Sequence, residues 1–205
     1  LMIATEPLPS SFWDEVGLRE RATFNDGRHM IIYGQRTADD RFAFGGRGVW
    51  YHWGSRIKPE FDRNPKVHAL IHETLRELFP AIGDAAVTHQ WGGAVASPRD
   101  WWCSVRFDPA TGLASAGGYV GDGVGTTNLS GRTLADLITR TESPLTTLPW
   151  VGHRSRRWEP EPLRWLGINT SVHLPNGSDR HEARHGTPSK WRDAIVDRLT
   201  GGAKG

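Results

Sequence analysis

Between Gly117 and Ile138 the chain reads GGYVGDGVGTTNLSGRTLADLI, and no other stretch constrains the fold as strongly. A strand-like run, Leu113 to Ala116, leads into glycines at 117, 118, 121, 123 and 125. A helix is expected to follow over residues 129–140, carrying Leu134, Ala135 and Ile138 on one face. Without Cβ atoms in the way, backbone amides in such a loop can approach a flat or anionic ligand, and the helix N-terminus adds a positive dipole end. The spacing is not the GxGxxG of a dinucleotide-binding turn, and it falls in the second half of the chain. A purely structural turn is the alternative reading.

A chain of 205 residues with 37% hydrophobic and 23% charged content can bury a real core, as one large domain or two small ones. Thirteen prolines and 24 glycines imply a loop-rich outline. The net charge of +2, with no Lys/Arg cluster interleaved with stacking aromatics, argues against nucleic acid as a partner. His153-Arg154-Ser155-Arg156-Arg157-Trp158 reads as a local basic turn. The single cysteine, Cys103, excludes an internal disulfide framework and fits a reducing, cytoplasmic setting; its neighbours Trp101, Trp102 and Val105 suggest a buried thiol. No apolar run approaches 18 residues and no secretory pattern opens the chain, so no membrane association is expected. Leu1-Met2-Ile3-Ala4-Thr5 reads as a strand already under way, which suggests a segment of something longer.

Residues 2–5 are expected to form a short buried strand ended by Pro7 and Pro9. His29–Gln35 and Arg41–Gly46 flank Thr37-Ala38-Asp39-Asp40 as a hairpin. Residues 62–79 read as a helix: Asn64 caps it, Pro65 takes the first position, and Val67, Leu70, Ile71, Leu75 and Leu78 make one stripe. Residues 86–93 and 102–107 read as strands joined by the Ser97–Asp100 turn. From 144 to 170 the chain is rich in Pro and Trp with little periodicity, and a last helix is expected over 190–199, carrying Trp191, Ala194, Ile195 and Leu199. No repeat or linker is evident, so one α+β unit is the simplest reading.

His181-Glu182-Ala183-Arg184-His185 matches HExxH, the zinc-hydrolase pattern, but lies in a polar context with no histidine downstream to complete a site. His68 and His72, one helical turn apart, read as part of a solvated helix face. No metal site is expected from either pair. Ten tryptophans serve either as core and loop anchors or as pocket lining, chiefly Trp91 in the Gln90–Gly93 turn. No GxSxG elbow is present, and Ser130 precedes Gly131 inside a helix start.

Several collinear motifs resemble the D-amino-acid-oxidase-like FAD-dependent oxidoreductases, and more narrowly the branch that resembles gamma-glutamylputrescine oxidase. Thr5-Glu6-Pro7-Leu8 is similar to that family's TEPL strand. Tyr33 with Arg36–Arg41 and Phe44-Gly45-Gly46-Arg47 resembles its Y-x-R-x-T-x-D-x-R…FGGR hairpin. His89–Gly93 followed by Pro98-Arg99-Asp100 resembles its W-G-G…D turn. Gly117–Val124 and Asn128–Leu137 resemble its closing loop and helix. The set runs from residue 5 to about 140, and the glycine fingerprint with which that family opens has no counterpart here.

The resemblance implies the C-terminal portion of such an enzyme: a partial substrate-domain sheet with packed helices over 1–107, a flavin-binding loop and helix over 108–140, and a C-terminal wrap and helix over 141–205. The cofactor implied is FAD, bound by Gly118, Gly121, Gly123, Val124, Gly125, Thr126, Thr127 and Asn128. Tyr119, Trp91, Arg47 and Arg36 are the implied substrate contacts, with either arginine meeting a substrate carboxylate if it points inward. The partners implied are a small-molecule amine or amino acid and an N-terminal Rossmann half. The implied reaction is hydride transfer from the amine-bearing carbon to flavin, with no general base assigned. A fragment unable to bind FAD alone and a zinc hydrolase acting through 181–185 are the competing readings.

Overall fold

A computed structural model describes residues 1–27, 31–46 and 50–200. It divides into two compact units where the sequence suggests one, the first made of residues 1–94 with 165–199 and the second built on residues 95–164. Composition hides this division, because one boundary falls in the short Gly92-Gly93-Ala94 run and the other inside a helix.

In the first unit, β1 (Met2–Thr5) precedes a short helix α1 (Ser10–Glu15), the two-residue β2 (Phe24–Asn25), and the hairpin β3 (Ile32–Arg36) and β4 (Phe42–Gly46). Helix α2 (Pro65–Leu78) and strand β5 (Val87–Trp91) follow. The strands form one antiparallel sheet of order β2-β3-β4-β1-β5. The expected strand at 2–5 thus occupies an interior position, and the hairpin lies where the Asp-rich turn places it. His29 and Met30 lie outside the described residues.

Side chains alternate between faces along a strand. Ile3, Ile32, Phe42 and Phe44 point to one face and join Phe12, Trp13, Ile71 and Leu75 in the core, with Ile3, Trp13, Phe42, Phe44 and Leu75 wholly buried. The rings of Trp13 and Phe42 lie 5.3 Å apart, and those of Phe42 and Phe79 5.0 Å apart. Truncating such a residue costs about 3–5 kcal/mol, so this aromatic cluster fixes the sheet against α1 and α2.

Asn64 caps α2 as expected, its side chain accepting from the amides of Lys66 and Val67 behind Pro65. The buried stripe differs from the expected one. Leu70 is 52% exposed, while His68, Ile71 and Leu75 turn inward. His68 is therefore not on a solvated face: it is 2% exposed, and both ring nitrogens are buried without a partner among the described residues. Packing against the sheet selects the 68–71–75 line, and the histidine is carried inward with it.

In the second unit β6 (Ser104–Asp108) and β7 (Leu113–Gly117) form their own antiparallel ladder. The two strands expected on either side of the Ser97–Asp100 turn therefore belong to different sheets. The Asp108 carboxylate closes the β6–β7 turn by accepting from the Ala110 amide and the Thr111 hydroxyl. Helix α3 (Gly123–Thr139) packs on this ladder.

The Pro- and Trp-rich region, expected to lack regular structure, ends in a long helix α4 (Leu163–His185), followed by α5 (Lys190–Thr200). Gly167, Pro175 and Gly177 obscure α4 in the sequence, since each weakens a helical pattern. The pair α4 and α5 is tied by the Ser178 hydroxyl donating to Asp193 (3.0 Å) and by Arg192 donating to the Gly177 carbonyl (3.2 Å). Among the described residues no helix is long and apolar enough to cross a membrane.

Candidate functional site

The glycine segment departs from β7 through a tight turn. Gly118 adopts φ +81° and sits against Pro98, and the Asp122 amide donates to the Tyr119 carbonyl across 2.9 Å. Between them Val120 and Gly121 both have positive φ, +52° and +104°. For a β-branched valine this conformation costs on the order of 1–3 kcal/mol, so surrounding structure must hold the turn in place.

Helix α3 then begins at Gly123, six residues before the expected start at Leu129. Gly123, Val124, Gly125, Thr126, Thr127 and Asn128 are its first turns and not a loop, a correction to the sequence reading. Each glycine weakens a helix by about 1 kcal/mol, which is why the pattern suggested a loop. Asp122 stands at the N-cap, and its side chain makes no capping hydrogen bond to the helix. The amides of Gly123, Val124 and Gly125 consequently have no acceptor within the helix. Val124 is 98% exposed, and among the described residues nothing beyond the helix's own adjacent backbone lies within 4 Å of where a Gly125 Cβ would be. Thr126 is occupied, its hydroxyl donating to the Asp122 carbonyl at 2.6 Å.

The faces of α3 also differ from expectation. Ser130 and Thr133 are fully buried, whereas Ala135 is exposed, Ile138 half-exposed and Leu134 intermediate. The Thr133 hydroxyl donates to the Leu129 carbonyl, but the Ser130 hydroxyl oxygen is buried with no partner among the described residues.

The turn behind Gly118 is pinned by a strap of residues 150–159. The Val105 amide donates to the Trp150 carbonyl, the Arg99 amide to the Ser155 hydroxyl, and the Trp158 indole to the Ser97 carbonyl. Arg99 grips both oxygens of Glu159 (3.1 and 3.0 Å) and lies over the Trp158 ring. His153 Nε2 lies 2.9 Å from Asp100 Oδ2. Burial pushes the Asp100 carboxyl upward, but the Ser155 hydroxyl, the Trp102 amide and His153 outweigh it and hold it below the ordinary range. Cys103, half-buried on the same turn, has its thiol pushed up by burial.

In the first unit the sheet presents a second face, opposite the core. Register places Tyr33, Gly45, Met2 and Trp91 in one row across β3, β4, β1 and β5. Met2 covers Gly45 so closely that a Cβ there would collide with its sulfur. Tyr33 and Trp91 are 38% and 42% exposed. Arg36 is not on this face. Its guanidinium lies 5.2 Å above the Trp13 ring and pairs with Asp40 at 2.8 Å, so it is tied to the core side and turned away from Trp91. Arg47 lies outside the described residues. Tyr119 belongs to the second unit, where its ring adjoins Gly123. The sequence reading overlooked Thr88, a residue of ordinary β character whose hydroxyl meets His89, Arg41 and the Thr5 carbonyl.

His181 and His185 stack with ring centroids 4.3 Å apart, and His185 Nδ1 faces the His181 carbonyl at 3.0 Å. Among the described residues no three His, Cys, Asp or Glu side chains gather in a metal-binding arrangement.

Comparison with known proteins gives these features a family. The curated relative "Probable oxidoreductase OrdL" of Rhizobium meliloti (strain 1021) is 30% identical over 115 residues, covering 55% of this chain and 24% of that protein. The solved L-proline dehydrogenase from P. horikoshii shares the fold with a TM-score of 0.55 at 17% identity, over 70% of this chain and 36% of its own. The chain thus spans between a quarter and somewhat over a third of the length of these relatives. The model of the DAO family, FAD dependent oxidoreductase, matches residues 1–137, and the chain belongs to that family.

Proposed function

We propose that this chain supplies the flavin-ring side of the cofactor site and part of the substrate sheet of an FAD-dependent oxidoreductase that oxidises a C–N bond in an amine or amino acid, in the branch resembling gamma-glutamylputrescine oxidase. The observation that carries this reading is the start of α3: an uncapped helix N-terminus behind a strained glycine turn, with open space at Gly125. These residues fit a flavin. Amides of Gly123, Val124 and Gly125 can hold the negative charge of the ring's pyrimidine edge, with the helix dipole adding to them. Gly118 and Gly121 let the turn close without side chains, and Thr127 and Asn128 follow on the same exposed flank. Bound FAD supplies the hydride acceptor for the carbon bearing the amine.

Trp91 in the first unit and Tyr119 in the second are each assigned to substrate contact. Arg36 drops out of that assignment because Trp13 and Asp40 hold it. The adenine side of the cofactor is assigned to an N-terminal dinucleotide-binding half acting as partner to this chain.

The second reading, a folded piece that cannot take up FAD by itself, is favoured by the short coverage of its relatives. Absorbance separates the two. The first reading expects flavin bands from the chain combined with a dinucleotide-binding half, bleached anaerobically by a primary amine. A preparation that stays colourless in that combination overturns it, and colour only in the combination identifies the isolated chain as the incompetent piece.

A further inference from the structure

The pairing of β1 with β5 slips by one residue: Ala4 faces His89 but Thr5 faces Val87, leaving Thr88 as a bulge. Such bulges re-aim neighbouring side chains. Beyond it His89 and Trp91, two residues apart, project from the same face of the edge strand. Both are exposed, and that face is neutral where the register defines it, carrying Tyr33, Gln35, Ala43, Gly45, Met2 and Ala4.

Thr88 Oγ1 has four neighbours. Arg41 Nη1 lies at 2.8 Å, His89 Nδ1 at 2.9 Å, the Thr5 carbonyl oxygen at 3.0 Å and the Ala4 carbonyl oxygen at 3.4 Å. A hydroxyl has one proton to give and two lone pairs to receive with. Arginine only donates, so it fills one lone pair. With the hydroxyl proton directed at the Thr5 carbonyl, the remaining lone pair receives a proton from His89 Nδ1. Arg41 is itself held by Asp39 at 2.6 Å. Asp39 is kept ionised by the Thr37 hydroxyl and by Arg41, so the charged groups behind the imidazole form a closed pair.

We propose that Thr88 fixes His89 as the Nδ1–H tautomer and that its free Nε2 is the proton acceptor for the amine substrate. The substrate half of this inference rests on the function proposed above; the tautomer does not. In the step itself the ammonium N–H bond breaks, its electron pair stays on the substrate nitrogen, and the proton bonds to Nε2. The products are a neutral amine, competent to lose hydride from the adjacent carbon, and an imidazolium. Among the described residues Nε2 has no hydrogen-bond partner, which leaves it open to this use. His89 is the catalytic residue of this step, and Thr88 and Arg41 position it.

Nitrogen NMR of the protein labelled with 15N-histidine tests the assignment, the His89 signals being identified by their loss in His89→Gln. At a pH where the ring is neutral, the expected result is a proton on Nδ1 and none on Nε2, with the population moving toward Nε2–H in Thr88→Val. A wild-type ring protonated on Nε2 overturns the proposal. Anaerobic flavin reduction by benzylamine in the flavin-loaded protein tests the second half. His89→Gln is expected to slow it by roughly 100-fold or more, and to leave the FAD absorbance per protein unchanged. Equal rates in wild type and His89→Gln overturn the acceptor role. If wild-type flavin is not bleached by any primary amine, the proposed function and the acceptor role fall together, while the NMR result still decides the tautomer.

Discussion

Gly118 is packed against Pro98: a Cβ built on the glycine would lie 2.6 Å from the proline Cγ, and its φ of +81° is one that side chains rarely adopt. Gly118→Ala therefore meets both a steric clash and a backbone penalty, together about 2–3 kcal/mol. The expected readout is a lower urea midpoint with an unchanged slope. An unchanged midpoint would mean that the 97–103 turn moves aside freely and does not define the glycine turn.

Gly125 gives the opposite result. It lies inside a helix with open space around it, so Gly125→Ala should raise the stability of the chain by about 0.5–1 kcal/mol. The same methyl group enters the space assigned to the flavin edge, so FAD uptake should weaken. Thermal melts with and without FAD check both halves. A variant that is more stable and binds FAD undiminished would remove Gly125 from the cofactor site.

Much of the first unit was legible from local signals. The Asp-rich turn marked the β3–β4 hairpin, and Asn64-Pro65 marked the start of α2. What the sequence concealed came from packing. His68 is inward because the sheet takes the 68–71–75 line of α2, which no charge pattern reveals. The start of α3 was hidden because glycine propensity favours a loop, and α4 because Gly167, Pro175 and Gly177 break its periodicity. At the candidate site the glycines and Trp91 are assigned by motif alone. The role of Arg36 was conditional on its direction, which strand alternation sets to the core side, and Thr88 carries no sequence signal because a bulge exists only in the pairing of two strands.

Arg36 has become a structural residue, with its side chain 13% exposed between Trp13 and Asp40. Arg36→Ala should destabilise the first unit by about 1–2 kcal/mol through the lost cation–π and ion-pair contacts. It should leave the KM for a carboxylate-bearing substrate unchanged. A selective rise in that KM, compared with a plain amine, would return Arg36 to the substrate.

The strap of residues 150–159 should loosen in acid. Asp100 and Glu159 both titrate below their ordinary values in the folded chain, Asp100 through Ser155, the Trp102 amide and His153 against the opposing effect of burial. For Glu159 the causes are its own backbone first, then Arg99 and Arg156, again against burial. A depressed carboxyl adds stability above its unfolded value and loses it as pH falls through the folded value. The second unit should therefore weaken progressively below about pH 4, and Asp100→Asn should flatten that decline while lowering stability at neutral pH. Urea midpoints across that range test this. A wild-type midpoint independent of acid would show that these carboxylates do not hold the strap.

Ser130 is wholly buried on the inner face of α3, and among the described residues its hydroxyl oxygen has no hydrogen-bond partner, unlike Thr133 one turn on, whose hydroxyl donates to the Leu129 carbonyl. Burial strips water from a polar group and returns nothing if no partner replaces it. Alanine at this position removes the unpaired hydroxyl, leaves only a small void and has the higher helix propensity. Ser130→Ala should thus stabilise the chain by roughly 0.5–1 kcal/mol, whereas Thr133→Ala, which loses buried volume and a satisfied hydroxyl, should destabilise it. Paired thermal melts of the two variants decide the point: a Ser130→Ala that melts below wild type would show that the hydroxyl has a partner and that this face of α3 is held by more than packing.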